Sequence, residues 1–133
     1  MTQRRRRALR EEYMRFEAIE HVQLAMPEGQ EDKARLFFSK LLGLDEVLKP
    51  PELAKRGGAW FESGSVRIHL GIEQDFSPAK KAHPAFLVSD LDGFAAQLRS
   101  AGYAVTVDND LPGFNRFYVN DPFGNRLEFM ESD

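Results

Sequence analysis

Three histidines and one glutamate are the residues of this chain best suited to chemistry. His21, His69 and His83 are its only histidines, and each lies in a segment where apolar and polar residues alternate as they do along a strand. In each segment the imidazole lies on the face opposite the apolar side chains, and Glu128 lies in the same way on the last such segment. Imidazole nitrogens and carboxylate oxygens are ligands of Zn, Ni, Co, Mn and Fe ions in proteins. If the four side chains converge, they predict a site for one divalent transition metal.

The spacing of these residues indicates an internal duplication. From Gly43 to His69 and from Gly102 to Glu128 the separation is 26 residues in both cases. Each glycine follows a stretch of helical periodicity and is expected to end that helix. The duplication therefore places His69 and Glu128 at equivalent positions of two repeats.

The first histidine of each repeat also lies at a comparable distance from the glycine that ends the helix. His21 precedes Gly43 by 22 residues, and His83 precedes Gly102 by 19, a difference that fits a longer turn at residues 27–30. His21 and His83 are therefore also equivalent. A single histidine on a strand is more commonly a surface or hydrogen-bonded residue, so the metal hypothesis depends on the joint placement of all four.

The periodicity of the chain predicts the elements that position these residues. The first repeat, residues 16–71, is predicted to contain strand 16–26, helix 31–42, strand 45–48, and a hairpin of strands 59–62 and 66–71. The second repeat, residues 82–131, is predicted to contain strand 82–88, helix 91–101 capped by Ser89 or Asp90, and strands 105–107, 116–120 and 126–130. The predicted fold class is α+β, with two βαβββ modules that form a curled eight-stranded cup with the helices outside.

Composition favours a single domain. A chain of 133 residues with 42% hydrophobic content can bury one core, which we assign to residues 16–133. The absence of cysteine excludes disulfides, thiolate metal ligands and a thiol nucleophile. No apolar run approaches the ~20 residues of a membrane span, and the N-terminus lacks the apolar core of a signal peptide. We therefore expect a cytoplasmic protein that does not bind membranes.

The net charge of −3 is unevenly distributed. Residues 1–13 carry five arginines and two glutamates, so the rest of the chain is acidic. We interpret residues 1–15 as a basic N-terminal extension, solvated or helical. The acidic body argues against nucleic-acid binding, which would depend on Arg4 to Arg7 alone. Met14 is an alternative natural start, since it leads directly into the first predicted strand.

Three segments of residues 16–131 carry a family resemblance: Ile-Glu-His-Val-Gln-Leu-Ala-Met, Ala-Arg-Leu-Phe-Phe-Ser-Lys-Leu-Leu-Gly-Leu and Asp-Pro-Phe-Gly-Asn-Arg-Leu-Glu-Phe. Together with the βαβββ duplication they resemble the vicinal oxygen chelate superfamily. That group includes glyoxalase I, methylmalonyl-CoA epimerase, fosfomycin-resistance transferases, extradiol dioxygenases and bleomycin-resistance proteins. His21, His83 and Glu128 match its usual metal-ligand positions. His69 stands where glyoxalase I and epimerase relatives usually carry Glu or Gln.

The resemblance implies a small-molecule substrate, a homodimer and three alternative functions. The first is a metal-dependent glyoxalase-like lyase or isomerase, in which the metal polarises vicinal oxygens and Glu128 or His69 moves a proton. The second is an extradiol dioxygenase or a fosfomycin-type transferase that uses only His21, His83 and Glu128. The third is a dimer that sequesters a drug without catalysis, as bleomycin-resistance proteins do.

Five further residues are weaker candidates for substrate binding. Gln23, Arg67 and Arg126 each lie one inward step along a strand from a candidate ligand, and Arg116 and Trp60 lie near the expected mouth. They could orient ligands or pair with a substrate anion. Salt bridges at strand ends and core packing are the alternative roles.

Overall fold

The computed structural model describes residues 2–133 as two βαβββ modules preceded by a helix. The helix is α1 (Gln3–Tyr13). The first module contains β1 (Val22–Met26), α2 (Glu31–Ala34, continued by a π-helical segment, Arg35–Leu41), β2 (Asp45–Val47), α3 (Pro51–Ala54), β3 (Ala59–Ser63) and β4 (Val66–Ile72). The second contains β5 (Ala85–Leu87), α4 (Leu91–Ser100), β6 (Thr106–Val107), β7 (Phe114–Asn120) and β8 (Arg126–Ser132). The α+β prediction and the duplication are confirmed.

Each module has its own four-stranded sheet, and the two sheets share one topology. The strand orders are β1-β4-β3-β2 and β5-β8-β7-β6. The first strand of each module runs parallel to the last, while the other neighbours are antiparallel. Each candidate histidine at the start of a module therefore lies beside the strand that carries the second candidate ligand.

The apolar faces of both modules pack into a continuous core. Phe37, Phe38 and Phe61 are buried in the first module, and Phe117 and Leu127 in the second. The predicted alternation of faces explains the burial of Phe61, Phe117 and Leu127, because these strand residues point away from the candidate ligands. Phe37 and Phe38 lie on the π-helical segment, where the Phe38 ring packs on the Phe61 ring at 5.5 Å.

The first strand of each module is shorter than predicted. β1 begins at Val22 rather than at residue 16, and Val22 is the first residue of the strand to pair with β4, opposite Ile68. β5 begins at Ala85, since Pro84 has no N–H to give to the ladder, although its carbonyl accepts from the Glu128 N–H. His21 and His83 consequently precede their strands.

The helices also differ from the prediction in detail. Only the first turn of the predicted helix 31–42 is α-helical, and the rest is a π-helical segment, a form that is rare in proteins. A short helix, α3, interrupts the loop expected between β2 and β3, with Pro51 as its first residue. Asp90 caps α4 as predicted, and its side chain accepts from the Gly93 N–H at 3.1 Å.

The N-terminal extension forms α1, whose first turn is capped by the Thr2 hydroxyl accepting from the Arg5 N–H at 3.2 Å. Residues 14–21, which join it to β1, have no regular secondary structure and are exposed. Across residues 2–133, none of the helices has the length and apolar character required to cross a membrane.

A buried asparagine ties the β7–β8 turn to the first module. Asn125 is 1% exposed, and its amide donates to the Ala25 carbonyl at 2.8 Å and to the Asp121 carboxylate at 2.9 Å. Its side-chain oxygen accepts from the Ala79 N–H at 3.0 Å. The turn that leads into the Glu128 strand is therefore held against β1 by specific hydrogen bonds.

Candidate functional site

The second module brings His83 directly to Glu128. The imidazole Nε2 lies 2.9 Å from the Glu128 Oε1 atom, and Glu128 is 4% exposed. The other carboxylate oxygen accepts from the Arg116 guanidinium at 3.3 Å, and Arg116 also pairs with Asp108 at 3.4 Å. A buried carboxylate with two such partners is held in one orientation.

The other ring nitrogen of His83 indicates which tautomer the neutral ring adopts. His83 Nδ1 lies 2.8 Å from the Lys81 carbonyl oxygen, which can only accept, so Nδ1 carries the hydrogen. In a neutral ring, Nε2 then presents its lone pair to the Glu128 carboxylate, which is also an acceptor. A cation, either a proton or a metal ion, satisfies both atoms. Nδ1–H donation to a backbone carbonyl is also the arrangement that orients metal-binding histidines.

The first module stacks His69 between two rings. Its imidazole centroid lies 4.0 Å from that of Trp60, with an interplanar angle of 6°. On the other side the His21 ring lies at 4.0 Å, with an angle of 16°. Burial lowers the pKa of His69, and the neighbouring His21 lowers it further. The environment therefore favours the neutral imidazole, which is the form that binds metals.

The stacking has a consequence for metal binding. His21 and His69 would each hold a metal through a ring-nitrogen lone pair, which lies in the plane of its own ring. Two nearly parallel stacked rings cannot both direct their lone pairs at one ion, so one of them must rotate. His21 is the ring with room to do so, since its side chain is 39% exposed and it precedes β1.

The four predicted ligands thus form two pairs, one on each sheet. His21 and His83 both line a cleft of about 790 Å³ that also contacts residues of β1 and β5. In the described part of the chain, no three His, Asp or Glu side chains are close enough to hold one metal ion. The four-ligand site therefore stays a prediction.

Comparison with known proteins assigns the family. Residues 18–129 match the model of the Glyoxalase/Bleomycin resistance protein/Dioxygenase superfamily. The chain belongs to this superfamily. A search of curated proteins gave no match.

Three solved structures are similar to this chain, and one of them is similar enough in sequence to support the family assignment. A glyoxalase family protein from Bacillus anthracis is 50% identical, with a TM-score of 0.86 over 90% of this chain and 98% of its own. A lactoylglutathione lyase from Agrobacterium tumefaciens is 23% identical, with a TM-score of 0.68 over 87% of this chain and 94% of its own. An antibiotic binding protein from Streptomyces is 21% identical, with a TM-score of 0.67 over 89% and 100%. The last two similarities concern the fold alone.

Three of the weaker candidates for substrate binding in this superfamily member lie in different environments. Gln23 is exposed on β1 and lies opposite His69 in the ladder. Arg67 is engaged in salt bridges, whereas the Arg126 guanidinium stacks on the Tyr118 ring at 3.8 Å. The roles proposed for these three residues in substrate binding remain predictions.

Sequence reasoning missed Tyr118, which lies opposite Glu128 in the β7–β8 ladder and meets the His83 ring edge-on at 5.4 Å. The alternation of strand 116–120 already placed Tyr118 on the same face as Arg116, and that signal could have found it.

Proposed function

We propose that this superfamily member is a metal-dependent lyase or isomerase of the glyoxalase type, acting on a small substrate with two neighbouring oxygens. The main observation that supports this proposal is the orientation of the His83 ring. Its Nδ1–H is committed to the Lys81 carbonyl, and its Nε2 faces the Glu128 carboxylate at 2.9 Å. This is a pair of acceptors arranged around a position for a cation.

The residues present suit a divalent transition metal. His21, His69, His83 and Glu128 would hold it, a set of three imidazoles and one carboxylate that is compatible with Zn, Ni, Co, Mn or Fe. When bound, such an ion would supply Lewis-acid polarisation of the two substrate oxygens. Glu128 is also the candidate for moving a proton, because Arg116 holds its second oxygen and fixes the first toward the site.

The two pairs of ligands support a homodimer with shared sites. Each chain would give His21 and His69 to one site and His83 and Glu128 to the other. The segment that leads into β1 exposes large apolar side chains, including those of Phe16 and Ile19, and Ile19 lines the cleft. A run of exposed apolar side chains beside a candidate site is typical of an interface.

The proposal predicts metal binding and turnover. Purified protein freed of metal should bind about one Ni²⁺ or Zn²⁺ per chain in competition with a chromophoric chelator. The loaded protein should convert the hemithioacetal of methylglyoxal, and catechols and fosfomycin with a thiol should be poor substrates. No divalent-ion binding at millimolar concentrations would contradict the proposal and leave drug sequestration as the better reading.

One observation favours a second candidate function. His69 is 6% exposed and stacked on Trp60, so it could remain a packing residue while His21, His83 and Glu128 bind the ion. Such a 2-His-1-carboxylate set suits Fe(II) ring cleavage, and a similar set serves the fosfomycin-type transferases.

The variant His69→Ala separates the two candidates. In the four-ligand site we expect the affinity for Zn²⁺ or Ni²⁺ to fall by at least ~10–100-fold, the loss that outer-shell changes alone can cause. Trp60→Ala, which removes the stack and keeps the imidazole, is the matched control and should change the affinity less. An unchanged dissociation constant in His69→Ala would favour the dioxygenase or transferase function.

A further inference from the structure

The duplication gives Arg126 an equivalent residue in the first module, Arg67. Arg67 precedes His69 by two residues on β4, just as Arg126 precedes Glu128 by two residues on β8. Both arginines therefore lie on the same sheet face as a candidate metal ligand. Their surroundings can be compared position by position.

Arg67 is neutralised by two carboxylates of its own module. Its guanidinium lies 3.0 Å from the Glu20 carboxylate and 3.6 Å from that of Glu62. Glu20 directly precedes His21, and Glu62 is the cross-strand neighbour of Arg67 in the β3–β4 ladder. These contacts assign Arg67 to the salt-bridge role.

The equivalent positions around Arg126 carry no charge. Ala82 precedes His83 where Glu20 precedes His21, and Asn120 is the cross-strand neighbour of Arg126 where Glu62 faces Arg67. Among residues 2–133 as described, none of the ion pairs within 4.0 Å includes Arg126. Its charge acts only at longer range on Asp108, whose pKa is lowered by the Asp110 N–H, by Arg116 and, least, by Arg126. The second module thus keeps the cation and lacks both of its acidic partners.

The Arg126 guanidinium is nevertheless held in place. It lies 3.8 Å above the centroid of the Tyr118 ring, whose edge-on neighbour is His83. Stacking on an aromatic face orients the planar guanidinium and leaves the N–H groups at its rim available for a bidentate oxyanion. Because Arg126 and Glu128 are two residues apart on one strand face, their backbones are separated by about 7 Å.

We propose that Arg126 binds an oxyanionic group, a carboxylate or a phosphonate, of the molecule that reaches His83 and Glu128. The identification of that molecule as the substrate rests on the proposed function. The preferred substrate is then a short acid, whose anionic group lies only a few bonds from the oxygens that the metal would polarise. It should be converted in preference to the hemithioacetal of methylglyoxal, whose methylglyoxal part carries no anionic group. Anion recognition itself requires only the stacked guanidinium, which forms no ion pair within 4.0 Å among the described residues.

The test uses metal-free full-length protein in low-salt buffer and two small probes, methylphosphonate and acetate. Binding is followed by the NMR signals of the arginine Nε–H groups and of His83. Wild type and the matched control Arg67→Gln should bind with the same dissociation constant. Arg126→Gln should bind at least about tenfold more weakly, the loss expected for one charge-assisted hydrogen bond or more.

The assignment would be overturned if Arg126→Gln bound the probes as tightly as wild type, or if Arg67→Gln lost as much anion affinity as Arg126→Gln. It would also be overturned if wild type showed no saturable binding below ~100 mM, a concentration at which even binding worth under ~2 kcal/mol would be seen. Melting curves of all three proteins confirm that each is folded. Metal affinity measured on the same samples separates this inference from the proposed function. Metal binding without anion binding overturns only the Arg126 assignment, whereas anion binding without metal binding overturns only the metal-dependent function.

Discussion

Replacing Glu128 with glutamine should lower the affinity of the protein for Ni²⁺ or Zn²⁺ by at least ~100-fold, more than outer-shell changes cause. The substitution keeps the size of the side chain and removes the negative charge that faces His83 at 2.9 Å. The affinity can be measured by competition with a chromophoric chelator at constant pH. Turnover should fall with it, because Glu128 is both a ligand and the candidate for proton movement.

Asp108→Asn is the matched control for this loss. Asp108 also pairs with Arg116, so this variant changes the charge near the site without touching a proposed ligand. We expect its metal affinity to stay within a few-fold of wild type. A similar loss in both variants would indicate that net charge, rather than ligation by Glu128, sets the affinity.

The same variant tests whether two chains share each site. Co-expression of a Glu128→Gln chain and a His21→Ala chain that carry different affinity tags, followed by purification on both tags, would produce mixed dimers. Light scattering at micromolar concentration checks that they are dimeric. If each site takes His21 and His69 from one chain and His83 and Glu128 from the other, a mixed dimer has one intact site and one doubly defective site. It should therefore bind half the wild-type amount of metal with wild-type affinity. If each site lies within one chain, the mixed dimer has none.

Replacing Asn125 with alanine should lower the free energy of unfolding by about 3 kcal/mol, because it leaves buried polar groups unpaired. The Ala25 carbonyl and the Ala79 N–H lose the partners that Asn125 gives them at 2.8 and 3.0 Å. Burial raises the pKa of the Asp121 carboxyl, and hydrogen bonds from Asn125 partly offset that rise. Without the amide, the carboxylate is buried with fewer donors.

Urea unfolding at one fixed protein concentration measures this change, since the stability of a dimer depends on concentration. Asn115→Ala is the control: Asn115 is exposed on β7, and its loss should change stability by less than about 0.5 kcal/mol. If both variants unfold at the same urea concentration, Asn125 does not fix the β7–β8 turn to the first module.

The repeat and its faces could be predicted because they depend on local patterns. Alternation along strands and the common 26-residue spacing assign His69 and Glu128 to equivalent positions without knowledge of any contact. The ring stack could not be predicted, since the hairpin register decides that Trp60 lies opposite His69. The orientation of His83 depends on a loop carbonyl, that of Lys81, which carries no sequence signal.

The parallel pairing of the first and last strands has a consequence for the order of folding. Val22 pairs with Ile68, and Ala85 pairs with Glu128, so each half-site joins strands from the two ends of its module. Such non-local contacts raise the contact order and form only after a long loop has closed. The two ligand pairs are therefore expected to assemble late, after the local hairpins β3–β4 and β7–β8. Metal affinity would then depend on whether the first and last strands of each module have paired. Metal added during refolding should stabilise the native state without increasing the rate of folding.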